Sequence, residues 1–280
     1  MTDSLRMELC RFNGLLEPLQ PRQTILGIKP MTAFVAGNNL YVSDQLSNSM
    51  RKYCLGGEPQ LAATSKFNGD GANWFANYDA TSERIWMIGK DSNRLISFDA
   101  ALNRVNEMTV PSNAGFFFSH GGEHYLMSGF AGPRRLYKVK GDALAELDAK
   151  IPGSLGGDFL LGHHVGDEIF FAYFDSRVVF RFSGGKFIRI AQLNDLPGRI
   201  YSIRHLADYR LYVILTSKGK RACLHFYTEK FRPVQAVVLE KSIAPGTLAC
   251  NGNDVYIGSY YTGRIDKYRL PMQAYAEIAQ

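Results

Sequence analysis

One short pattern recurs six times along this chain, and that recurrence limits its possible folds more than any other feature. The pattern is three apolar or aromatic residues followed by a polar break. It occurs as Leu40-Tyr41-Val42, Ile85-Trp86-Met87, Tyr125-Leu126-Met127, Ile169-Phe170-Phe171, Leu211-Tyr212-Val213 and Val255-Tyr256-Ile257, so that successive copies begin 40 to 45 residues apart. Most copies follow a turn, among them Gly37-Asn38-Asn39, Gly121-Gly122-Glu123, Gly166-Asp167-Glu168 and Asn251-Gly252-Asn253-Asp254. Gly and Asn accept the positive φ that tight hairpins require.

Each copy is flanked by two further strand-like segments. After it comes a segment of period two that ends in an aromatic or branched residue, such as Met50-Arg51-Lys52-Tyr53, Leu95-Ile96-Ser97-Phe98 and Val179-Phe180-Arg181-Phe182. Such alternation marks half-buried strands. Before it comes an apolar run: Thr32 to Val35, Trp74 to Asn77, Phe116 to Ser119, Phe159 to Leu161, Ile200 to Ile203 and Thr247 to Ala249. Continuous apolar runs fit a strand covered on both faces. Multi-stranded repeats of this length predict a closed ring of blades; a solenoid would show a shorter unit.

The expected architecture is therefore all-β: a six-bladed β-propeller with four-stranded antiparallel blades, in a single domain spanning residues 1–280. The blades are expected at 30–66, 67–110, 111–151, 152–193, 194–241 and 242–280, the last completed by residues 1–29. A ring must close or leave an exposed edge. Leu9-Cys10-Arg11-Phe12-Asn13-Gly14 reads as an outer hairpin, so the N-terminal segment is expected to close the last blade. Ala274 to Ile278 either adds to that blade or forms a short helix.

Leu40 to Asp44, continued through Asn48 to Met50-Arg51-Lys52-Tyr53, resembles the repeat of the NHL family. Ile85 to Phe98, with Asp91, Asn93 and Arg94, and Val255 to Tyr268, with Gly263 and Arg264, are similar to it. The resemblance fades in the fifth unit, where Leu215-Thr216-Ser217-Lys218-Gly219-Lys220 replaces the acidic turn. It implies a propeller, and such motifs specify architecture more than activity. The chain is also similar in architecture to gluconolactonase-like proteins, a resemblance that implies a metal held by Glu, Asn and Asp at the channel mouth. It departs from their pattern: Leu26-Gly27-Ile28-Lys29-Pro30-Met31 has no Glu, and no Arg-x-Asn-Asp run occurs.

Composition narrows the function classes. Hydrophobic residues make up 46% and charged residues 21%, as in a globular protein. No run approaches the roughly 18 apolar residues of a membrane span, so no membrane partner is expected. Met1 to Phe12 carries Asp3, Arg6, Glu8 and Arg11 without an apolar core, which is not a secretory leader, and the expected compartment is the cytoplasm. Cys10, Cys54, Cys223 and Cys250 form no C-x-x-C pair, which excludes a zinc knuckle and leaves buried free thiols as the expectation. No G-x-S-x-G elbow, phosphate loop or dinucleotide fingerprint is present.

Two constellations carry possible chemistry. Propeller ligands meet the funnel face, formed by the loops leading into each inner strand and those joining the second and third strands. Asn68, Asp70, Asn73, Asp158, Asp195 and Arg199 fall on the first set of loops, and Tyr260 and Tyr261 on the second. Asn68-Gly69-Asp70-Gly71-Ala72-Asn73 and Pro152 to Asp158 are either ordinary turns or, through their Asp and Asn side chains, a source of hard oxygen ligands suited to Ca²⁺. Tyr260 and Tyr261 resemble binding anchors. The other constellation is three histidines, His120, His163 and His205, each four residues after an aromatic: Phe116, Phe159 and Tyr201. Positions i and i+4 of a strand share a face, so the three are expected in an arc at one level around the axis. Three neutral imidazoles suit Zn²⁺ or another borderline divalent ion; the alternative is that each bonds a neighbouring backbone.

The function expected from these features is recognition of a small molecule, peptide or protein on the funnel face. The alternative is a metal-dependent hydrolase or lyase with a carboxylate or three-histidine site near the channel. RNA binding would need Lys29, Lys90, Arg134, Arg199 and Lys218 to cluster. Asp44, Asp70, Asp91, Asp158, Asp175 and Asp195 share that surface and, despite a net charge of +6, argue against a nucleic-acid partner.

Overall fold

The computed structural model describes residues 21–67, 73–89, 93–129, 133–153, 159–165, 167–218, 221–243 and 245–270. Their strands, numbered β1 to β24 in chain order, form six antiparallel sheets of four. The inner strands are β2 (Pro30–Ala36), β6 (Asn73–Asp79), β10 (Ala114–His120), β14 (Leu160–Val165), β18 (Arg199–Leu206) and β22 (Thr247–Asn251). Each contacts the inner strand of the next sheet, and β22 contacts β2, so the ring is closed. The molecule is a six-bladed β-propeller.

The sixfold pattern lies on the second strands: β3 (Asn39–Asp44), β7 (Arg84–Gly89), β11 (Glu123–Ser128), β15 (Glu168–Tyr173), β19 (Leu211–Lys218) and β23 (Asp254–Ser259). These strands are apolar on both faces because a neighbouring blade covers each face. Leu40, Tyr41 and Val42 are at most 2% exposed. The core is accordingly divided into six clusters, one between each pair of adjacent blades. Tyr41 and Met50 of the first blade, for example, meet Ile85, Met87 and Phe98 of the second.

Burial falls towards the rim. Third strands follow at β4 (Ser49–Cys54), β8 (Arg94–Phe98), β12 (Arg135–Lys140), β16 (Val178–Ser183), β20 (Arg221–Thr228) and β24 (Arg264–Arg269). The outer strands of blades one to five are β5 (Gln60–Lys66), β9 (Arg104–Thr109), β13 (Ala143–Leu147), β17 (Lys186–Gln192) and β21 (Pro233–Ile243). β5 is mostly exposed, as its sequence Gln-Leu-Ala-Ala-Thr-Ser-Lys allows.

The sixth blade takes its outer strand from the other end of the chain: β1 (Gln23–Leu26) pairs antiparallel with β24, Gln23 opposite Lys267. Thr24 Oγ1 donates to Asp266 Oδ1 at 2.8 Å across this pairing. The segments Leu9 to Gly14 and Ala274 to Ile278 lie outside the described residues. On the inner side, the Thr247 hydroxyl of blade six accepts the Ala33 N–H of blade one at 2.8 Å. Thr32 does the same for the Ala76 N–H of blade two, at 3.0 Å.

Four inner strands carry a β-bulge near their start, between Pro30 and Thr32, Asn73 and Phe75, Ala114 and Phe116, and Ile200 and Ser202. A bulge inserts one unpaired residue and re-aims those after it. The single helical element among the described residues is a 3-10 turn at Ala207–Tyr209, and no helix is long and apolar enough to cross a membrane. Cys223 is buried and Cys250 half-buried, but Cys54 at the end of β4 is exposed, so the expectation of buried thiols fails there. Cys10 is outside the described residues.

Candidate functional site

A cavity of about 940 Å³ follows the ring axis. Pro30, Gln45, Tyr260 and Tyr261 line its funnel end, and Asp79, Gly121 and Asp167 its far end. Phe34, Phe75, Phe116 and Tyr201 give it apolar walls. Polar groups line it from end to end, with Asn77, His163, His164 and Arg204 between the two mouths.

Arg204, on β18, lines the cavity and reaches past blade six towards blade one. Its Nη1 donates to the carbonyl of Ile203 at 2.9 Å, and its Nη2 points at the carbonyl of Ala33 on β2, 3.4 Å away. No carboxylate lies within ion-pair distance of Arg204 among the described residues. Burial lowers the pKa of its guanidinium, which nonetheless stays charged, as arginine does in proteins.

On β14, His163 and His164 are adjacent and so point to opposite sides of the strand. His164 Nε2 lies 2.6 Å from Asn77 Nδ2 of β6, and the same Asn77 nitrogen donates to the Phe117 carbonyl of β10 at 2.6 Å. This group links blades two, three and four. His163 is 4% exposed, and its Nε2 has no hydrogen-bond partner among the described residues. Burial, followed by the charge of Arg204, brings the pKa of His163 down to about 3 and that of His164 to about 4. Burial also pushes the Cys250 thiol up to about 12. Near neutral pH the middle of the channel therefore holds one fixed positive charge among neutral imidazoles and a neutral thiol.

The three histidines singled out by spacing all line the cavity, yet they do not stand at one level. Opposite the first residues of three corresponding copies of the repeat, Tyr125, Ile169 and Leu211, stand Phe118, His164 and Leu206. His163 and His205 precede that position by one residue and His120 follows it by two. The offset of three is odd, so His120 faces the other way. The aromatic residues used for counting are not equivalent: Phe116 follows its bulge, Tyr201 is the bulged residue, and Phe159 precedes β14. Each histidine also has its own surroundings. His120 sits edge-on to Phe182 with ring centroids 5.5 Å apart, and His205 Nε2 is 3.1 Å from Glu229 Oε1. Among the described residues no three His, Cys, Asp or Glu side chains gather as a metal site requires.

On the funnel face, Asn68, Asp70 and Asp158 lie outside the described residues, and Asn73 begins the backbone of β6. Asp195 is exposed and Arg199 pairs with Asp175 at 2.7 Å while lying over Phe174; neither lines the cavity. Tyr260 and Tyr261 do line it, packed edge to face at 5.4 Å, with Tyr261 82% exposed. Lys29 Nζ stands 5.2 Å from the Tyr260 ring, a cation–π contact. Buried Asp44 holds this part of the rim: it accepts the backbone N–H groups of Lys29 (2.7 Å) and Leu46 (3.0 Å) and pairs with Arg51 (2.6 Å).

Sequence reasoning passed over Arg204, Asn77 and His164. The one available signal was a charged residue inside an innermost strand, in Ile200-Tyr201-Ser202-Ile203-Arg204.

The fold and channel define the class: a six-bladed β-propeller with a largely apolar axial cavity and an arginine at its centre. Solved structures share this fold. Virginiamycin B lyase from Staphylococcus aureus is similar at a TM-score of 0.60 and 13% identity, over 89% of this chain and 88% of that one. Regucalcin, a calcium-binding protein from Agrobacterium tumefaciens, is similar at 0.60 and 10%, over 91% and 95%. A luciferin-regenerating enzyme is similar at 0.59 and 11%, over 88% and 92%. At these identities the likeness is one of fold. No protein-family model matches the chain, and no curated protein matches it in sequence.

Proposed function

We propose that this propeller binds a small molecule in its axial channel, admitted at the funnel end past Tyr260 and Tyr261. The observation that carries this reading is the cavity itself. At about 940 Å³ it is at the upper end of the roughly 300–1,000 Å³ of small-molecule pockets, and like them it combines apolar walls with polar groups that face one enclosed space. Enclosure within the ring favours a small molecule over a peptide or a protein surface. The exposed Tyr261 ring supplies apolar area at the mouth.

A screen of small fragments by saturation-transfer NMR on the purified chain tests the reading. Binders are expected, and Tyr260→Ala and Tyr261→Ala are expected to weaken them. A screen without binders would refute it, and binders indifferent to both substitutions would refute the tyrosine mouth.

A metal-dependent hydrolase or lyase is the second reading. Its support is the neighbours: one is a lyase, one binds calcium and one regenerates luciferin. Against it, the ligand groups of the described residues are dispersed and the channel centre is cationic. Elemental analysis of purified protein decides. Stoichiometric zinc or calcium, lost on replacing Asp70 and Asp158, would favour it.

A further inference from the structure

Building on the small-molecule reading, we infer that the ligand of this channel is an organic anion, a carboxylate or similar group on an apolar body, and that Arg204 receives its charge. The guanidinium has five N–H donors in a planar fork that matches a carboxylate. Among the described residues two contacts occupy it, the carbonyl of Ile203 at 2.9 Å and the more distant carbonyl of Ala33 at 3.4 Å. Both acceptors are neutral.

A charge enclosed by protein is costly unless it is paired. Among the described residues no titratable group of the channel, Asp167 at its far end included, forms an ion pair with it. His163 and His164 are neutral near pH 7, and Cys250 remains a thiol. Asp79, at the far end of the cavity, is occupied by the Thr81 N–H at 3.1 Å and the Ser82 hydroxyl at 2.5 Å. Glu229 is taken by Arg210 and His205. A counter-charge from a bound ligand would complete the arrangement, and the same guanidinium repels a divalent cation.

The walls set the rest of the ligand. Phe34, Phe75, Phe116 and Tyr201 line the same cavity as Arg204 and favour an aromatic or aliphatic body over a bare inorganic ion. Arg204 thus orients the ligand, while the walls hold its apolar part.

Benzoate and benzamide, an anion and its neutral isostere, test this on the full chain by saturation-transfer NMR. Benzoate is expected to bind, benzamide roughly tenfold more weakly, as loss of a charge-assisted hydrogen bond implies. Arg204→Met is expected to abolish the difference and Arg204→Lys to retain part of it. The wild-type comparison holds even if Arg204→Met unfolds, and melting curves identify that case. Equal binding of the two probes, or benzoate binding that survives in folded Arg204→Met, overturns the inference. Binding of neutral fragments without benzoate overturns the anion alone and leaves the small-molecule reading standing. Failure of every compound overturns both.

Discussion

Asn77 and His164, 87 positions apart in the chain, meet beside the channel with 2.6 Å between Nδ2 and Nε2. The tautomer follows from the partners. The Asn77 nitrogen also faces the Phe117 carbonyl, which only accepts, so the amide cannot be turned over. An amide nitrogen only donates, so His164 Nε2 is the acceptor and the ring proton sits on Nδ1. Asn77→Ala would remove the donor that the Phe117 carbonyl and His164 Nε2 both face. It is expected to destabilise the protein by about 1–3 kcal/mol in urea unfolding. In ¹⁵N spectra of the wild type, His164 is expected to show the Nδ1–H form; an Nε2–H signal would contradict the assignment.

The ring was legible in the sequence because its cause is repetitive. Second strands are covered on both faces, and Leu40-Tyr41-Val42 and its five counterparts are apolar throughout for that reason. The central site was not legible, because it depends on register. Bulges after Pro30, Asn73, Ala114 and Ile200 each insert a residue into an inner strand, and those after Asn73 and Ile200 have no Gly or Pro beside them to announce it. Counting four residues from Phe116, Phe159 and Tyr201 therefore brought His163 and His205 to one register position and His120 to another, three residues on. Arg204 lay one residue from a histidine that spacing did select, and only the closed ring reveals that it reaches Ala33.

Acid is expected to weaken the fold through its histidines. The folded-state pKa of His163 is about 3, and those of His164 and His225 about 4, all from burial first and below the usual 6.5. The unfolded chain thus binds more protons between about pH 4 and 6.5, and stability rises with pH over that range. It is fully present above about pH 6.5 and is lost as pH falls towards 4. Each such group contributes up to about 1.4 kcal/mol per pH unit. Urea midpoints measured from pH 7.5 to 4.5 should fall steeply below 6.5. His225→Gln, which removes one group bonded to Thr216, should flatten the slope. A midpoint independent of pH would show that the imidazoles are not buried neutral.

Gly162 is required by space. A Cβ there would come within 2.2 and 2.3 Å of the Phe116 ring, across the gap between blades three and four. Both residues line the cavity, so the ring cannot yield without changing the channel. Gly162→Ala is expected to cost about 1–3 kcal/mol as overpacking does. Gly57→Ala is the control, since its Cβ would meet nothing within 4 Å. Equal midpoints for the two variants would remove the steric argument.

The seam between blades six and one joins parts of the chain 214 residues apart through the Thr247 hydroxyl and the Ala33 N–H. Thr247→Val keeps the shape and removes the acceptor, leaving a buried backbone donor unpaired. The expected loss is about 1–3 kcal/mol, and Thr247→Ser should recover most of it. Because the bond crosses the closing join, the opening it permits should be local. Amide exchange should accelerate at Ala33 and along β22 and change little in blades three and four. Thr32→Val makes the same change between blades one and two and should shift the faster exchange to Ala76. If both variants accelerated exchange uniformly around the ring, the propeller would open as one cooperative unit and the two seams would have no separate existence.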